Sequence, residues 1–206
     1  MPRVKPDSCD FQPYNNFRPL LRLRTRFTTQ PELHMSIAGL CQPIELILAD
    51  VDGVLTDGSI IFTNEGIEIK RFNIQDGLGI RLWQRAGGKF GLVTGRNSHI
   101  VNVRAAELGI EIVRQGTEKK IAAVKEILTQ LHLEPRQVCY IGDDLPDLPA
   151  LRYAGLGVAV ANACVDVRQA ADYVTTALGG SGAVREVIEV VLRSQQRWDD
   201  VVHSYQ

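Results

Sequence analysis

IELILADVDGVLTDG, residues 44–58, decides the fold of this chain. The run 44–49 is isoleucine, leucine and alanine with only Glu45 polar, the pattern of a short strand buried in a parallel sheet. Asp50 and Asp52 follow where that strand ends, at the edge where open α/β sheets bind their ligands. On an extended backbone, residues i and i+2 point the same way, so the two carboxylates converge on one small space. Gly53 lets the chain turn sharply behind them.

Two acids at this spacing suit phosphoryl transfer. One carboxylate attacks phosphorus to form an aspartyl-phosphate. The other protonates the leaving oxygen and then takes a proton from the hydrolytic water. Like unit charges 4 Å apart repel by roughly 4 kcal/mol at an effective dielectric near 20, so a phosphate dianion meets a prohibitive field here unless a cation shares the site. All-oxygen ligands of this kind suit Mg²⁺. Spacing alone leaves a second reading open: a strand-end Asp-x-Asp also caps helices or holds a structural cation.

Outward from this stretch, strand and helix alternate. Residues 59–72 (SIIFTNEGIEIKRF) carry two β-rich runs around Asn64-Glu65-Gly66, a hairpin that emerges beside the carboxylates as a flap or an interface. Asp76-Gly77 opens a helix that Gly87-Gly88 closes. Strands are expected at 89–95, 111–114, 138–142, 156–160 and 173–175. Helices are expected through Val101 to Leu108, at 118–131, at 145–154, near Val167, and at 183–198, where Val184, Val187, Ile188, Val191 and Leu192 share one face. The fold class is therefore α/β, a doubly wound and mostly parallel sheet with helices on both faces and a hairpin flap, to which the resemblance named below adds the absence of a cap domain. Domain bounds are expected at 1–40 for an extension, 41–198 for the folded domain and 199–206 for a tail.

Three of these strands end in polar tips: Asp50/Asp52, Thr94-Gly95 and Asp143-Asp144. Strands of a parallel sheet end on one edge, which makes the tips neighbours. A hydroxyl and a free amide at Thr94-Gly95 suit phosphate oxygens. Lys119 or Lys120, at a helix start after Gln115-Gly116-Thr117, can offset phosphate charge. Asp143 or Asp144 can complete a metal site with Asp50. Each piece alone is a turn, a solvated lysine or an N-cap; their conjunction, each at a strand end, is not.

The strings DVDGVLTDG, FNIQDGLGIR, TGR, the segment leading to Lys120, GDDLPD (with Asp147) and GGSGAVRE resemble the haloacid dehalogenase superfamily. Within it they resemble the small capless phosphatases of 3-deoxy-D-manno-octulosonate 8-phosphate (KDO 8-phosphate), a step in lipopolysaccharide sugar synthesis. The resemblance runs from about Ile44 to Leu192. It implies Asp50 as nucleophile, Asp52 as acid/base, and Thr94 and Lys120 as phosphoryl-holding groups. Mg²⁺ would be held by Asp50, Asp143 and the Asp52 carbonyl. It places substrate contacts at Asp52, Asn73, Ile74, Gln75, Asp76, Gly77, Arg81, Gly95, Arg96, Arg104 and Lys120. Arginine forks suit a substrate bearing both phosphate and carboxylate. The resemblance also implies a cytoplasmic homotetramer in which the hairpin and the glycines Gly179, Gly180 and Gly182 cover a neighbouring site. Many relatives carry arginine where this chain has Ser181. Two rivals remain: the same chemistry on a nine-carbon sugar acid 9-phosphate (against which Arg96 speaks), and a non-catalytic assembly domain.

Composition agrees with one ordinary domain: 206 residues, 45% hydrophobic, 23% charged, net charge −1. That balance offers no electrostatic basis for binding nucleic acid or an anionic membrane, and no apolar run approaches the roughly 18 residues of a membrane span. Residues 1–34 differ, with six basic side chains against three acidic ones, leaving −4 on the remainder. They read as a disordered extension or as sequence upstream of a start at Met35, with a targeting segment the weaker reading. Cys9, Cys41, Cys139 and Cys164 have no metal-type spacing and read as reduced thiols. His34, His99, His132 and His203 form no catalytic set.

Overall fold

Four fully buried residues, Leu46–Ala49, form the strand on which the sheet is centred. The computed structural model describes residues 36–206. In chain order they form α1 (Ile37–Cys41), β1 (Leu46–Ala49), β2 (Ile61–Phe62), β3 (Glu68–Ile69), α2 (Ile74–Arg85), β4 (Lys89–Val93), α3 (His99–Leu108), β5 (Ile112–Arg114) and α4 (Lys120–Leu131). There follow β6 (Val138–Gly142), α5 (Leu148–Tyr153), β7 (Leu156–Ala159), α6 (Val165–Ala170), β8 (Tyr173–Val174), α7 (Ala183–Ser194) and α8 (Trp198–His203).

The six-stranded sheet has the order β5-β4-β1-β6-β7-β8 and every pairing in it is parallel. The winding reverses at β1, because β4 and β5 lie to one side of it and β6, β7 and β8 to the other. The crevice beyond its C-terminal end is the topological switch point where such sheets take ligands. β2 and β3 form a separate antiparallel hairpin. Helices flank the sheet: α7 packs on α1, α2 and α8, while α5 packs on α4 and α6. The α7 face is the one the apolar spacing predicts, with Val184, Val187, Ile188, Val191 and Leu192 buried. Trp83, fully buried, satisfies its indole by donating to the Lys89 carbonyl at 2.7 Å.

Several boundaries differ from the sequence expectation. α2 starts at Ile74, because the Asn73 side chain accepts from the Gln75 amide at 2.7 Å and caps it. Asp76 is instead spent on α7: its carboxylate accepts from the amides of Gly182 (3.2 Å) and Arg185 (2.8 Å). The C-terminal helix breaks after Ser194, and α8 follows where a tail is expected. Gln196 turns the chain at φ 58°, while the Gln195 side chain donates to the carbonyls of Cys41 and Ile44, at 3.0 and 2.8 Å. Those bonds also fasten the end of α1, whose first four residues fall inside the expected extension. The expectations for residues 1–35 lie outside the described residues. Cys41 and Cys139 are buried thiols and Cys164 is partly buried.

Candidate active site

The expected strand tips meet. Asp50, Asp52, Gly58, Thr94, Gly95, Arg96, Thr117, Glu118, Lys120, Asp143, Asp144, Pro146 and Asp147 line one cleft of about 540 Å³ at the C-terminal edge of the sheet.

Asp50 continues β1, its amide donating to the Ile141 carbonyl at 3.0 Å. The loop behind it closes on itself, with the amides of Leu55 and Thr56 donating to the Val51 carbonyl at 2.9 and 3.0 Å. Gly53 is obligatory in this loop. Its φ is +95°, and a Cβ there would lie 2.1 Å from Asp143 Oδ2. The missing side chain is the space through which Asp143 reaches Asp50. Asp52 sits in the turn rather than on the strand, so it is the loop, not strand alternation, that brings it to the cleft.

At the floor, Lys120 Nζ lies 2.9 Å from Asp50 Oδ2 and 2.7 Å from Asp147 Oδ1, with its side chain 5% exposed. Lys119 is the residue before the helix and does not line the cleft. Tyr140 donates to Asp147 Oδ1 at 2.7 Å, and Asp147 Oδ2 accepts from the amides of Asp143 and Asp144. Carboxylate oxygens of Asp50, Asp143 and Asp147 fall within 4.8 Å of one another. Three acids share one ammonium. Burial, then the charge of Asp147, raises Asp50 to about 6 against the opposing pull of Lys120. Burial, then Asp50 and Asp147, raises Asp143 to about 7. Burial alone would lower Lys120, but the adjacent Asp50 and Asp147 leave it raised.

The donor set fits a divalent cation. Among the described residues, Asp50 Oδ1 and Asp143 Oδ1 are buried polar atoms without a hydrogen-bond partner, an arrangement that costs free energy unless something else binds them. Asp147 differs, since both its oxygens are engaged by Lys120, Tyr140 and backbone amides. It is a holder of Lys120 and of the Asp143 loop rather than a free ligand.

The substrate contacts expected on α2 and α3 do not join this cleft. Asn73, Ile74, Gln75, Asp76, Gly77, Arg81 and Arg104 do not line it. Ile74, Gly77, Arg81 and Arg104 border a separate groove along α2 and α3. Arg81 donates to the Glu107 carbonyl at 2.8 Å; Arg104 pairs with the Glu107 carboxylate at 2.8 Å and lies over the Phe72 ring. Asn73 and Asp76 serve as helix caps. Gly179 and Gly180 rest on their own subunit's loop: the Gly180 amide donates to the Val54 carbonyl at 2.8 Å, and a Cβ at Gly179 would lie 1.7 Å from the Gly53 oxygen.

Residues outside the expected set stand at the rim. Lys70, just past β3, pairs with Asp52 and lies 3.4 Å from Glu68 Oε1. Glu68 accepts from Arg96 at 2.8 Å and from the Ser98 hydroxyl at 2.6 Å. Ser98, then the two cations, holds its carboxyl below the ordinary range despite partial burial. The signal was present in the sequence: Glu68 and Lys70 alternate with Ile67 and Ile69, placing both charges on one face of the hairpin strand.

An aspartate-bearing loop at the switch point of a parallel sheet, with a threonine, a lysine and an acid pair on the neighbouring tips, is the arrangement expected of haloacid dehalogenase-like hydrolases, and the family model of that description matches residues 93–188. Over 157 residues the chain is 44% identical to the 3-deoxy-D-manno-octulosonate 8-phosphate phosphatase KdsC of Escherichia coli (strain K12), covering 76% of this chain and 84% of that one. The phosphatase of the same name from Moraxella catarrhalis, solved with magnesium ion, phosphate ion and KDO, superposes with a TM-score of 0.81 at 44% identity, over 82% of this chain and 98% of that one. A cobalt-bound relative from Haemophilus influenzae superposes with a TM-score of 0.74 at 38% identity, over 76% and 92%. The chain belongs to the KDO 8-phosphate phosphatase family.

Proposed function

We propose that this protein is a Mg²⁺-dependent phosphoric monoester hydrolase that converts KDO 8-phosphate to KDO and phosphate. The observation that carries this reading is the unpartnered Oδ1 of Asp50, buried beside Lys120 at the switch point of the sheet. Asp50 attacks phosphorus as the bond to the sugar oxygen breaks, and Asp52 gives that oxygen a proton. Water then attacks the aspartyl-phosphate, Asp52 takes its proton, and the Asp50 carboxylate is released. Lys120 offsets charge on the phosphoryl oxygens, and Thr94 and Gly95 present a hydroxyl and an amide to them. Asp50, Asp143 and the Asp52 carbonyl would hold Mg²⁺, which lowers the charge repulsion between carboxylate and phosphate. Arg96, its side chain 39% exposed at the rim, suits the sugar carboxylate.

Since Arg81 and Arg104 lie away from the cleft of their own subunit, a role in binding substrate requires a second copy. A homotetramer supplies one. The hairpin exposes Ile60, Ile61, Phe62, Ile67 and Ile69, an apolar surface that a neighbouring subunit would cover. The absence of a membrane-crossing helix among the described residues is consistent with a cytoplasmic enzyme of lipopolysaccharide sugar synthesis. The test is phosphate release from KDO 8-phosphate and from a nine-carbon 9-phosphate, side by side, with Mg²⁺ and with chelator. Mg²⁺-dependent preference for the eight-carbon ester is expected. Preference for the nine-carbon ester would keep the mechanism and overturn the substrate, pointing to Ser181.

A further inference from the structure

The hairpin does more than present an apolar surface, and this inference rests on the phosphatase reading above. Four charges at the rim of the cleft form a closed ring of alternating sign. Lys70 pairs with Asp52 and approaches Glu68 Oε1 at 3.4 Å; Glu68 binds Arg96 at 2.8 Å; Arg96 Nε lies 3.9 Å from Asp52 Oδ2. The Lys70 side chain is 2% exposed, although it directly follows an exposed two-stranded ribbon. A buried ammonium on an exposed ribbon is costly unless its partners hold it. Here the partners are the proposed acid/base and the carboxylate that orients the proposed sugar-acid contact.

We propose that Lys70 is the positioning residue of the acid/base: it holds Asp52 by Oδ1 and leaves Oδ2 to face the reacting oxygen, while Glu68, two residues before it on the hairpin, holds Arg96. Nothing else in the ring fixes Asp52 at comparable range, because the Arg96 contact is 3.9 Å. The hairpin thereby sets the proton-transferring carboxylate and the substrate-recognising guanidinium together. A hairpin displaced from the body would loosen both at once. Lys70 itself takes no part in bond making. In the first step the phosphorus–sugar oxygen bond breaks and Asp52 supplies the proton. In the second, water adds to phosphorus, the Asp50–phosphorus bond breaks, and Asp52 collects the proton.

The test compares two leaving groups. An alkyl sugar phosphate needs a proton on its departing oxygen; 4-nitrophenolate leaves without one. Asp52 is still needed for the second step with either ester. In Lys70→Met, which keeps length and loses charge, kcat for KDO 8-phosphate should fall by about 10²-fold, the lower range of a general acid/base contribution, with KM changed less than threefold. With 4-nitrophenyl phosphate the first turnover should stay near the wild-type rate and the steady state should slow, giving a burst of nitrophenolate equal to the enzyme concentration. Lys70→Arg should recover most of the loss. Equal slowing of both esters without a burst, a rise in KM at unchanged kcat, or no recovery in Lys70→Arg would overturn the role of Lys70 while leaving the phosphatase reading intact. Failure of the wild type to turn over either ester would overturn that reading and the role of Lys70 with it.

Discussion

Chelating the protein and raising the pH should destabilise it, which is the reverse of what paired surface carboxylates do. Asp50 is raised from 3.8 to about 6, chiefly by burial, and Asp143 to about 7. Between pH 4 and 7 the folded chain therefore keeps protons that the unfolded chain has released, and stability falls as pH rises through that window. For Asp50, 6% exposed, the shift corresponds to roughly 3 kcal/mol. About 1.4 kcal/mol of that is lost between pH 5 and 7.5, the rest below pH 5, so at about 2–4 °C per kcal/mol for a domain of this size Asp50 alone should lower Tm by about 3–6 °C over that range, and Asp143 adds to the fall. Asp76, raised by burial, acts in the same sense. The lowered groups Asp57, Glu65, Glu68 and Glu186 contribute stability that is lost only as pH falls through their depressed values, below the window scanned. Mg²⁺ at 100 times its Kd restores about 2.7 kcal/mol and should do so increasingly as pH rises, because it competes with the two protons. The assay is thermal unfolding from pH 5 to 7.5 with chelator and with Mg²⁺. A chelated protein whose Tm stays level or climbs over that range would refute the assignment of Asp50 and Asp143 as a proton-loaded cation site.

Gly53→Ala forces a methyl group into Asp143 at a left-handed φ; Mg²⁺ affinity, read by titration of activity, should fall at least about tenfold, and unchanged affinity would show that Asp143 reaches the metal by another path. Arg96→Ala should raise KM for KDO 8-phosphate by about tenfold with a smaller change in kcat, and steady-state kinetics showing collapse of kcat at constant KM would contradict a binding role. Asp50→Asn and Arg104→Ala should each be inactive or impaired alone, yet co-refolded mixtures should regain activity, since a subunit with an intact nucleophile can sit beside one with an intact arginine. Strictly additive activity in the mixtures, measured by phosphate release, would place Arg104 outside any shared site.

The meeting of Asp50, Thr94 and the Asp143-Asp144 pair was legible in the sequence because a parallel sheet turns distant strand ends into neighbours, and strand ends can be read from apolar runs; Lys120, at a helix start, was singled out from Lys119 only by the family resemblance. Arg81, Arg104 and Asn73 to Gly77 were not, because a residue on a helix gives its face but not the surface it serves. Asp76 shows this well: its position beside a glycine reads as a helix opening, while its carboxylate caps a different helix more than a hundred residues away. The break between α7 and α8 has the same origin. Nothing local stops that helix, and Gln195 leaves it for carbonyls near the start of the domain. Lys70 and Glu68 lay within reach of strand alternation, but only the folding back of the hairpin onto Asp52 gives their charges a partner.

The rest of Gly179 and Gly180 on the Gly53–Val54 backbone bears on how the chain is synthesised. The strand that leads into Asp50 sits inside the sheet, yet its flanking strand β6, the neighbouring acid Asp143 and the glycines that brace its loop are all made after it. A nascent chain that has not yet emitted β6 holds an apolar strand with one side unpaired, and long-range parallel pairing of this kind is slow and exposed to aggregation. A ribosome-bound chain short of Gly180 has every aspartate of the cleft and still lacks the brace on the loop that carries Asp50 and Asp52. The brace on that loop therefore forms only after every acid lining the cleft has been made.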